Sequence, residues 1–371
     1  MSASVPRLFV RAVLARDGKF LAVTLASCAV AAIVAMFQYS VYTSFLRASA
    51  VVPRMLGGDF WVTSASVECF DFPYQFSQDY EGALSRYVPG ANFRRVVFGF
   101  ATWRSPQGRR GNVAVVGVDG TGLPDDGFAA DRSDLARLDL SALGAVQPQF
   151  GSISETTLHL AQTVDTLPTF LGAPYVIVPF ERGRELLGMD PTSTSFLIGD
   201  FPGGGRDLPN LVAARRLTAR NFPDVSMLSA TQFADSSARY WQRKTGAGMA
   251  ILLAAVLAGL LMAILLSNGV LRFIQRYHHD LISLLGHGAN QRDITRIVGS
   301  IAVLIALFTM AAALLVTPVM IALFRPLLPW VSFRPSDAVV PLLAVLASLL
   351  IALGAARRAI AAYGPDIVFR S

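Results

Sequence analysis

The chain has 371 residues, 53% of them hydrophobic and 15% charged, with a mean hydropathy of +0.49 and a formal net charge of +7. That balance is too apolar for a water-soluble domain and places the chain in a membrane. The basic excess is not a nucleic-acid signal: Val51 to Arg243 holds 17 basic and 20 acidic residues, so the positive charge lies outside that interval.

Residues 1–19 put Leu8, Phe9, Ala12 and Val13 on one helical face beside Arg7 and Arg11, the pattern of a short amphipathic helix on the inner leaflet. A first apolar run, 20–46, has the length a bilayer core of roughly 30 Å demands, about 20 residues. It is too long and bulky for a cleavable signal peptide and continues into "FQYSVYTSFL" without a small-residue cleavage site. Phe37, Tyr39, Tyr42 and Phe45 near its end are an interfacial aromatic set.

Residues 47–243 have no spanning segment and read as a mixed α/β extracytoplasmic domain with a core of its own. Strands are predicted at 59–65, 93–103, 112–119, 156–165, 175–180 and 194–200, and helices at 77–87, 131–138, 181–188 and 229–244. Only Thr245 and Gly246 separate the last helix from the next span, so a nearly continuous rigid rod is predicted. Cys69 is read as a buried small hydrophobe, and Cys28 is mid-span, so the two are not expected to pair.

Three more spans follow: 244–273, rich in Gly and Ala; 297–324, with Pro318 near its outer end; and 339–358. Between them lie a loop at 274–296, a short outer loop at 325–338 and a tail at 359–371. The apolar cores of spans two and three hold no Lys, Arg, Asp, Glu or His, which argues against a proton relay. Basic residues gather at three places: Arg7, Arg11, Arg16 and Lys19; Arg272, Arg276, Arg292 and Arg296; Arg357, Arg358 and Arg370. An even number of spans puts all three on one side, and the positive-inside rule makes that side, with both termini, cytoplasmic.

Catalytic motifs are sparse. A P-loop needs a Gly-rich loop ending in Lys, and the lysines are Lys19 and Lys244, neither in that setting. "FPGGGRD" (201–207) reads as a strand connection. A triad of Ser152 or Ser154 with His159 and Asp165 lacks the G-x-S-x-G elbow. His278, His279 and His287 lack the i, i+4 spacing of a helical metal pair and no Cys accompanies them, so neither a catalytic nor a metal site is assigned.

The stretch "HHDLISLLGHGANQRDI" (278–294) is more ordered than its histidines suggest. Asp280 suits a helix N-terminus, Leu281, Leu284 and Leu285 follow at helical spacing, and Gly288 suits a left-handed cap. Asn290 and Asp293 resemble a capping pair for a new helix. The result is a helix of about two turns whose apolar face needs a protein to cover it.

Here the chain resembles the MacB/FtsX-type permease subunits of ABC transporters. "SNGVLRFIQRYHHDLISLLGHGAN" keeps Asn268, then Asp280 where the family usually has Glu, then Leu284, Gly288 and Ala289, with Asn290 where Ser is common. Leu285 replaces the family's basic residue and His287 its usual apolar one, which puts the identity of the partner at issue. The four-span layout with a large domain between spans one and two matches as well. "LGGDFWVTSASVECFDFPYQFSQ" is similar to the DevC-like branch.

The resemblance implies a non-catalytic subunit in the inner membrane of a bacterium, paired with a second permease copy and with a dimer of ABC ATPase subunits. ATP and Mg²⁺ would be bound by those partners, with no cofactor in this chain. Asp280, Leu281, Leu284, Leu285, His287, Gly288 and Asn290 would form the coupling helix. Mechanotransmission would export or extract a lipid-like or amphiphilic substrate, with an adaptor of the membrane-fusion type as a further partner. The alternatives are an FtsX-like regulator that activates an outer cell-wall enzyme, and an outer-facing sensor.

Overall fold

A computed structural model of the chain describes residues 16–361 apart from 106, 141–148, 152–155, 166, 171 and 202–207. The expected amphipathic helix at 1–19 lies outside the described residues except for its last four positions, and so do "PGGGRD" and most of the C-terminal tail. The chain divides into two compact units, one of residues 1–44 with 249–371 and one of residues 45–248.

The first unit holds four helices long and apolar enough to cross a membrane. Span one is Gly18–Ala48, span two Ala247–Arg276 and span three Gln291–Phe324; span four runs through the helix Val339–Ala361. Span three is the centre of the packing. Its buried residues recur at the spacing of one helix face: Ile294, Ile297, Ile301, Ile305, Thr309, Ala313, Thr317 and Ile321. Ile294, Ile297, Ile301, Ile305 and Ala313 share a core with Met262, Leu266 and Val270 of span two and Val345, Ala352 and Ala356 of span four, and Ile321 joins a smaller one with Val41 and Val331. Spans one and two meet closely at Gly269, where an added Cβ would lie 2.7 Å from Thr24 Cγ2. Small residues permit this approach where lipid removes any hydrophobic drive between helices. Near the other end of span one, Ser44 Oγ donates to the Ser332 carbonyl at 2.9 Å and accepts from the Ser332 N–H at 3.1 Å.

The second unit is built on a mixed sheet. Its strands are β1 (Phe60–Ser64), β2 (Phe76–Ser77), β3 (Asn92–Arg104), β4 (Arg110–Val118), β5 (Gly127–Asp131), β6 (Gln149–Phe150), β7 (Thr156–Thr157), β8 (His159–Val164), β9 (Tyr175–Pro179), β10 (Ser193–Thr194), β11 (Phe196–Asp200) and β12 (Val225–Ser229). Its helices are α1 (Val51–Leu56), α2 (Tyr80–Leu84), α3 (Phe180–Leu186), α4 (Leu208–Asn221) and α5 (Ala230–Arg239). The sheet order is β12-β1-β11-β3-β4-β9-β5-β8, with β6 on β3 and β7 on β6; β2 and β10 form a separate pair. Two neighbouring pairs, β4 with β9 and β5 with β8, are parallel.

Strand β4 is buried on both faces, so alternate residues enter different cores. Ala114, Val116 and Val118 join Trp61, Phe98 and Phe196, while Val113 and Val115 join Phe128 and Phe150. β1 opens after Gly57 and Gly58, both at positive φ; a Cβ on Gly58 would lie 2.3 Å from Ile198 Cγ2, so only glycine fits there.

The predicted strands appear at 60–64, 92–104, 110–118, 156–164, 175–179 and 193–200, the last broken at Ser195 and the fourth at Leu158. Three expectations fail. The stretch 131–138 is not a helix but a single 3₁₀ turn, Arg132–Asp134, held because Asp131 accepts from the Ser133 N–H at 2.9 Å and from the Leu167 N–H at 2.8 Å. The helix predicted at 77–87 contracts to α2. The rod from 229 into span two is interrupted: α5 passes into a π turn, Tyr240–Lys244, and Gly246 takes φ +74°. Glycine at positive φ ends the helical hydrogen-bond ladder, so a new helix has to start at Ala247. Strands β5 and β12 and helix α4 were not predicted. "GFAAD" and "VSMLS" carry too little β-branched character to stand out, and α4 has a weakly apolar sequence.

Candidate functional site

The 274–296 loop contains the helix His278–Gly286, the strongest candidate in the sequence. Its N-terminal neighbour Tyr277 has a non-helical backbone, φ −100° and ψ 18°, which separates it from span two. Asp280 sits in its first turn, exposed, where a carboxylate favours the positive end of the helix dipole. At the other end the Gly288 N–H donates to the Leu285 carbonyl at 3.0 Å and the Ala289 N–H to the Leu284 carbonyl at 3.0 Å. This paired pattern is a Schellman closure, and it requires the left-handed backbone that Gly288 supplies with φ +90°. The Asn290 N–H then donates to Asp293 Oδ2 at 3.2 Å, which opens span three. The loop is thus two helix ends and one short helix, each stopped by a named residue.

The structure splits the seven candidate residues between two faces. Leu281 is buried at 5% exposure in the core of its own unit with Phe273, Tyr277 and Ile294, and Leu284 and Leu285 pack against that core. Much of the apolar face expected to need another protein is therefore covered by the chain itself. Asp280, His287, Gly288 and Asn290 are exposed. So are His279 and Ser283, which the sequence reading did not single out; with His287 they recur every four residues and form one polar stripe. His287 Nδ1 lies 2.7 Å from the Ser283 carbonyl oxygen, so the tautomer with its proton on Nδ1 donates there and turns Nε2 away. Among the described residues no group of three or more His, Cys, Asp or Glu is arranged to hold a metal.

Directly before this helix, Asp17 at the head of span one ties down the end of span two. Arg276 donates to Asp17 through Nη2 at 2.8 Å and through Nε at 3.1 Å, and the Tyr277 hydroxyl donates to it at 2.8 Å. Hydrogen bonds from Arg276 first, then Tyr277, lower the Asp17 carboxyl to about 2. The guanidinium of Arg276 also lies over the Phe20 ring at 5.2 Å. The sequence signal was present in Asp17 and Arg276, but nothing in their 259-residue separation indicated a pair.

In the second unit, His159 lies 3.4 Å from Asp126 through Nε2, and Asp165 pairs with Arg132 at 3.0 Å. The triad's His and Asp are therefore engaged with other residues, and its serines fall outside the described residues. A cleft of about 420 Å³ opens at the carboxyl ends of the parallel strands β4 and β9, the place where open sheets leave room for ligands. Its Asp119 and Glu181 are both bridged by Arg95, at 2.8 and 3.4 Å, and its Glu185 by Arg182 at 2.7 Å, so these carboxylates are neutralised within the fold.

No family model and no curated protein matches the chain. Among solved structures it is similar to the extracellular domain of the noncanonic ABC-type transporter YknZ from Gram-positive bacteria, with 13% identity over 46% of this chain and 98% of that chain, at a TM-score of 0.32. It is also similar to the periplasmic region of MacB from Actinobacillus actinomycetemcomitans, with 7% identity over 47% of this chain and 89% of that one, at a TM-score of 0.35. Likeness of this degree assigns no family, and the functional reading rests on the chain's own residues.

Proposed function

We propose that the chain is the membrane-spanning subunit of a MacB/FtsX-type ABC transporter in a bacterial inner membrane, working as a pair of copies with two ATPase subunits. The observation that carries this reading is the capped helix His278–Gly286 between spans two and three, packed from beneath and presenting a polar stripe. A short helix fastened on one side to the spans and open on the other suits the transfer of force from a partner. Leu281, Leu284 and Leu285 anchor it to the spans, and His279, Ser283 and His287 meet the ATPase. ATP and Mg²⁺ are held by that partner, so hydrolysis takes place outside this chain. The work delivered is export or extraction of a lipid-like or amphiphilic molecule, with an adaptor as a further partner and with "LGGDFWVTSASVECFDFPYQFSQ" similar to the DevC-like branch.

The test uses co-purification with an ABC ATPase and stimulation of its activity in vesicles. Ser283→Asp and His287→Asp place charge on the outer stripe without touching the core, and each is expected to lower stimulation and co-purification at least tenfold, about 1.4 kcal/mol of lost contact. Unchanged complex and activity in both variants would remove the coupling assignment. ATP-dependent release of an amphiphile from the vesicles supports transport. Stimulation with no release, together with capture of an outer cell-wall hydrolase, moves the chain to the FtsX-like reading.

A further inference from the structure

Loop 69–75, "CFDFPYQ", carries an arrangement that the coupling reading leaves unused. The large hydrophobic side chains of the outer unit are mostly interior, yet Phe72 is 49% and Tyr74 59% exposed. These two rings stand two residues apart on a loop fixed from inside. Asp71, between them and the core, is 4% exposed. It accepts the Trp241 Nε1–H at 2.6 Å and the Cys69 thiol at 3.4 Å through Oδ2, and the Tyr175 hydroxyl at 3.5 Å through Oδ1. The loop is therefore held by a buried carboxylate and projects two aromatic rings from a rigid base.

The base consists of residues next to the spans. Phe72 packs on Trp241 and Tyr240 at centroid distances of 6.0 and 5.7 Å. Trp241 in turn meets Phe45 at 6.4 Å and Phe170 at 5.3 Å. Phe45 belongs to the last turn of span one, and Trp241 stands six positions ahead of span two. One aromatic cluster thus joins the chain leaving the bilayer, the chain about to re-enter it, and the exposed rings. Arg243 and Lys244 follow in the same π turn. Lys244 pairs with Glu68 at 2.6 Å and the Trp241 indole N–H is taken by Asp71, so the exposed Tyr74 phenol is the polar tip of the set. Aromatic rings with a polar tip at a span end are what the headgroup zone of a bilayer accepts, the ring body among upper acyl segments and the hydroxyl with water and phosphate.

The geometry points to Phe72 and Tyr74 as a lipid-contacting finger, inserted in the headgroup layer of the leaflet that faces the outer domain. Its occupant is the bilayer itself, and Asp71 is the positioning residue that aims the finger. Phe45 belongs to the same unbroken helix as span one, and that continuity is what favours lipid over protein as the occupant. The inference does not depend on the transporter reading: it would hold for any four-span protein with this outer domain.

The test reconstitutes the full chain in vesicles of phosphatidylcholine and phosphatidylglycerol, with a photoreactive benzophenone side chain placed at position 72, 74 or, as control, 212. Val212 lies on α4 and is also 49% exposed, so exposure alone is matched. Because positions 72 and 74 are exposed, either probe leaves the core intact, and each is read separately. Lipid adducts severalfold more abundant at 72 and at 74 than at 212 support the finger. Adducts to a second copy of the chain, or lipid yields no higher than at 212, overturn it.

Discussion

Leu281 shows how one side chain changes the meaning of a motif. Read as sequence it is the first leucine of an apolar face awaiting a partner, but at 5% exposure it belongs to the core of its own unit. Leu281→Ala is expected to lower the thermal midpoint of the reconstituted chain, a cost of about 2 kcal/mol or more, whereas Ser283→Asp leaves that midpoint in place; equal shifts would show that the helix is not fastened as described. The two buried or tied carboxyls give pH dependences of opposite sign. Hydrogen bonds from Arg276 and then Tyr277 hold Asp17 down at about 2. Its contribution is therefore present above the ordinary carboxylate value and lost as pH falls toward 2. Asp17→Asn should lower the midpoint at pH 7 and have a smaller effect as pH falls toward 2, with the difference shrinking in high salt because the pair is partly exposed. Burial raises the Asp71 carboxyl, partly offset by the bond from Trp241. That contribution is complete below the ordinary Asp value and declines as pH rises through the folded one. Asp71→Asn keeps an acceptor for Trp241 and should flatten the alkaline decline. Asp71→Leu leaves the Trp241 N–H unpaired at a cost of about 1–3 kcal/mol, and melting curves of both variants between pH 4 and 8 check the pair.

At the scale of elements, close backbone contacts decide what fits. Helix α3 lies on β4 through two glycines: a Cβ on Gly183 would stand 2.6 Å from the Gly117 Cα, and one on Gly117 2.6 Å from Val97 Cγ2. Gly183→Ala is expected to destabilise the second unit by about 1–3 kcal/mol, since a backbone atom cannot rotate away; a midpoint within error of the parent would contradict this packing. Strands β3 and β4 were legible as long apolar, β-branched and aromatic runs, because each face is buried against a different core. Strands β5 and β12 were not, because they are specified by their neighbours β8, β9 and β1 rather than by their own residues. The capping signals were legible for the same reason that makes them local. The Asn290 N–H donates to Asp293 Oδ2 at 3.2 Å within four residues, and Gly288 needs only its own φ. The π turn and Gly246 were misread as a continuous rod because helical propensity says nothing about where a ladder is broken.

For the whole molecule, four helices of spanning length and a separate unit of residues 45–248 set the terms. The distribution of arginines predicts sidedness, which a membrane-impermeant maleimide tests directly. Cys28 and Cys69 are both buried, so they contribute little background. Asp125→Cys should label from outside intact cells and Gln291→Cys only after lysis, and the reverse pattern would invert the topology. By its residues alone the chain settled its membrane character, the number and approximate limits of the spans, and the stop at Gly288 that ends the short helix, since hydropathy, charge and glycine geometry act over one to twenty neighbouring residues. Only the tertiary structure decided that Leu281 turns inward, that Asp17 meets Arg276, that Asp71 holds Trp241, and that β5 and β12 complete the sheet. Those are contacts between residues far apart in the chain, and their partners are chosen by packing and hydrogen bonding that no local periodicity records.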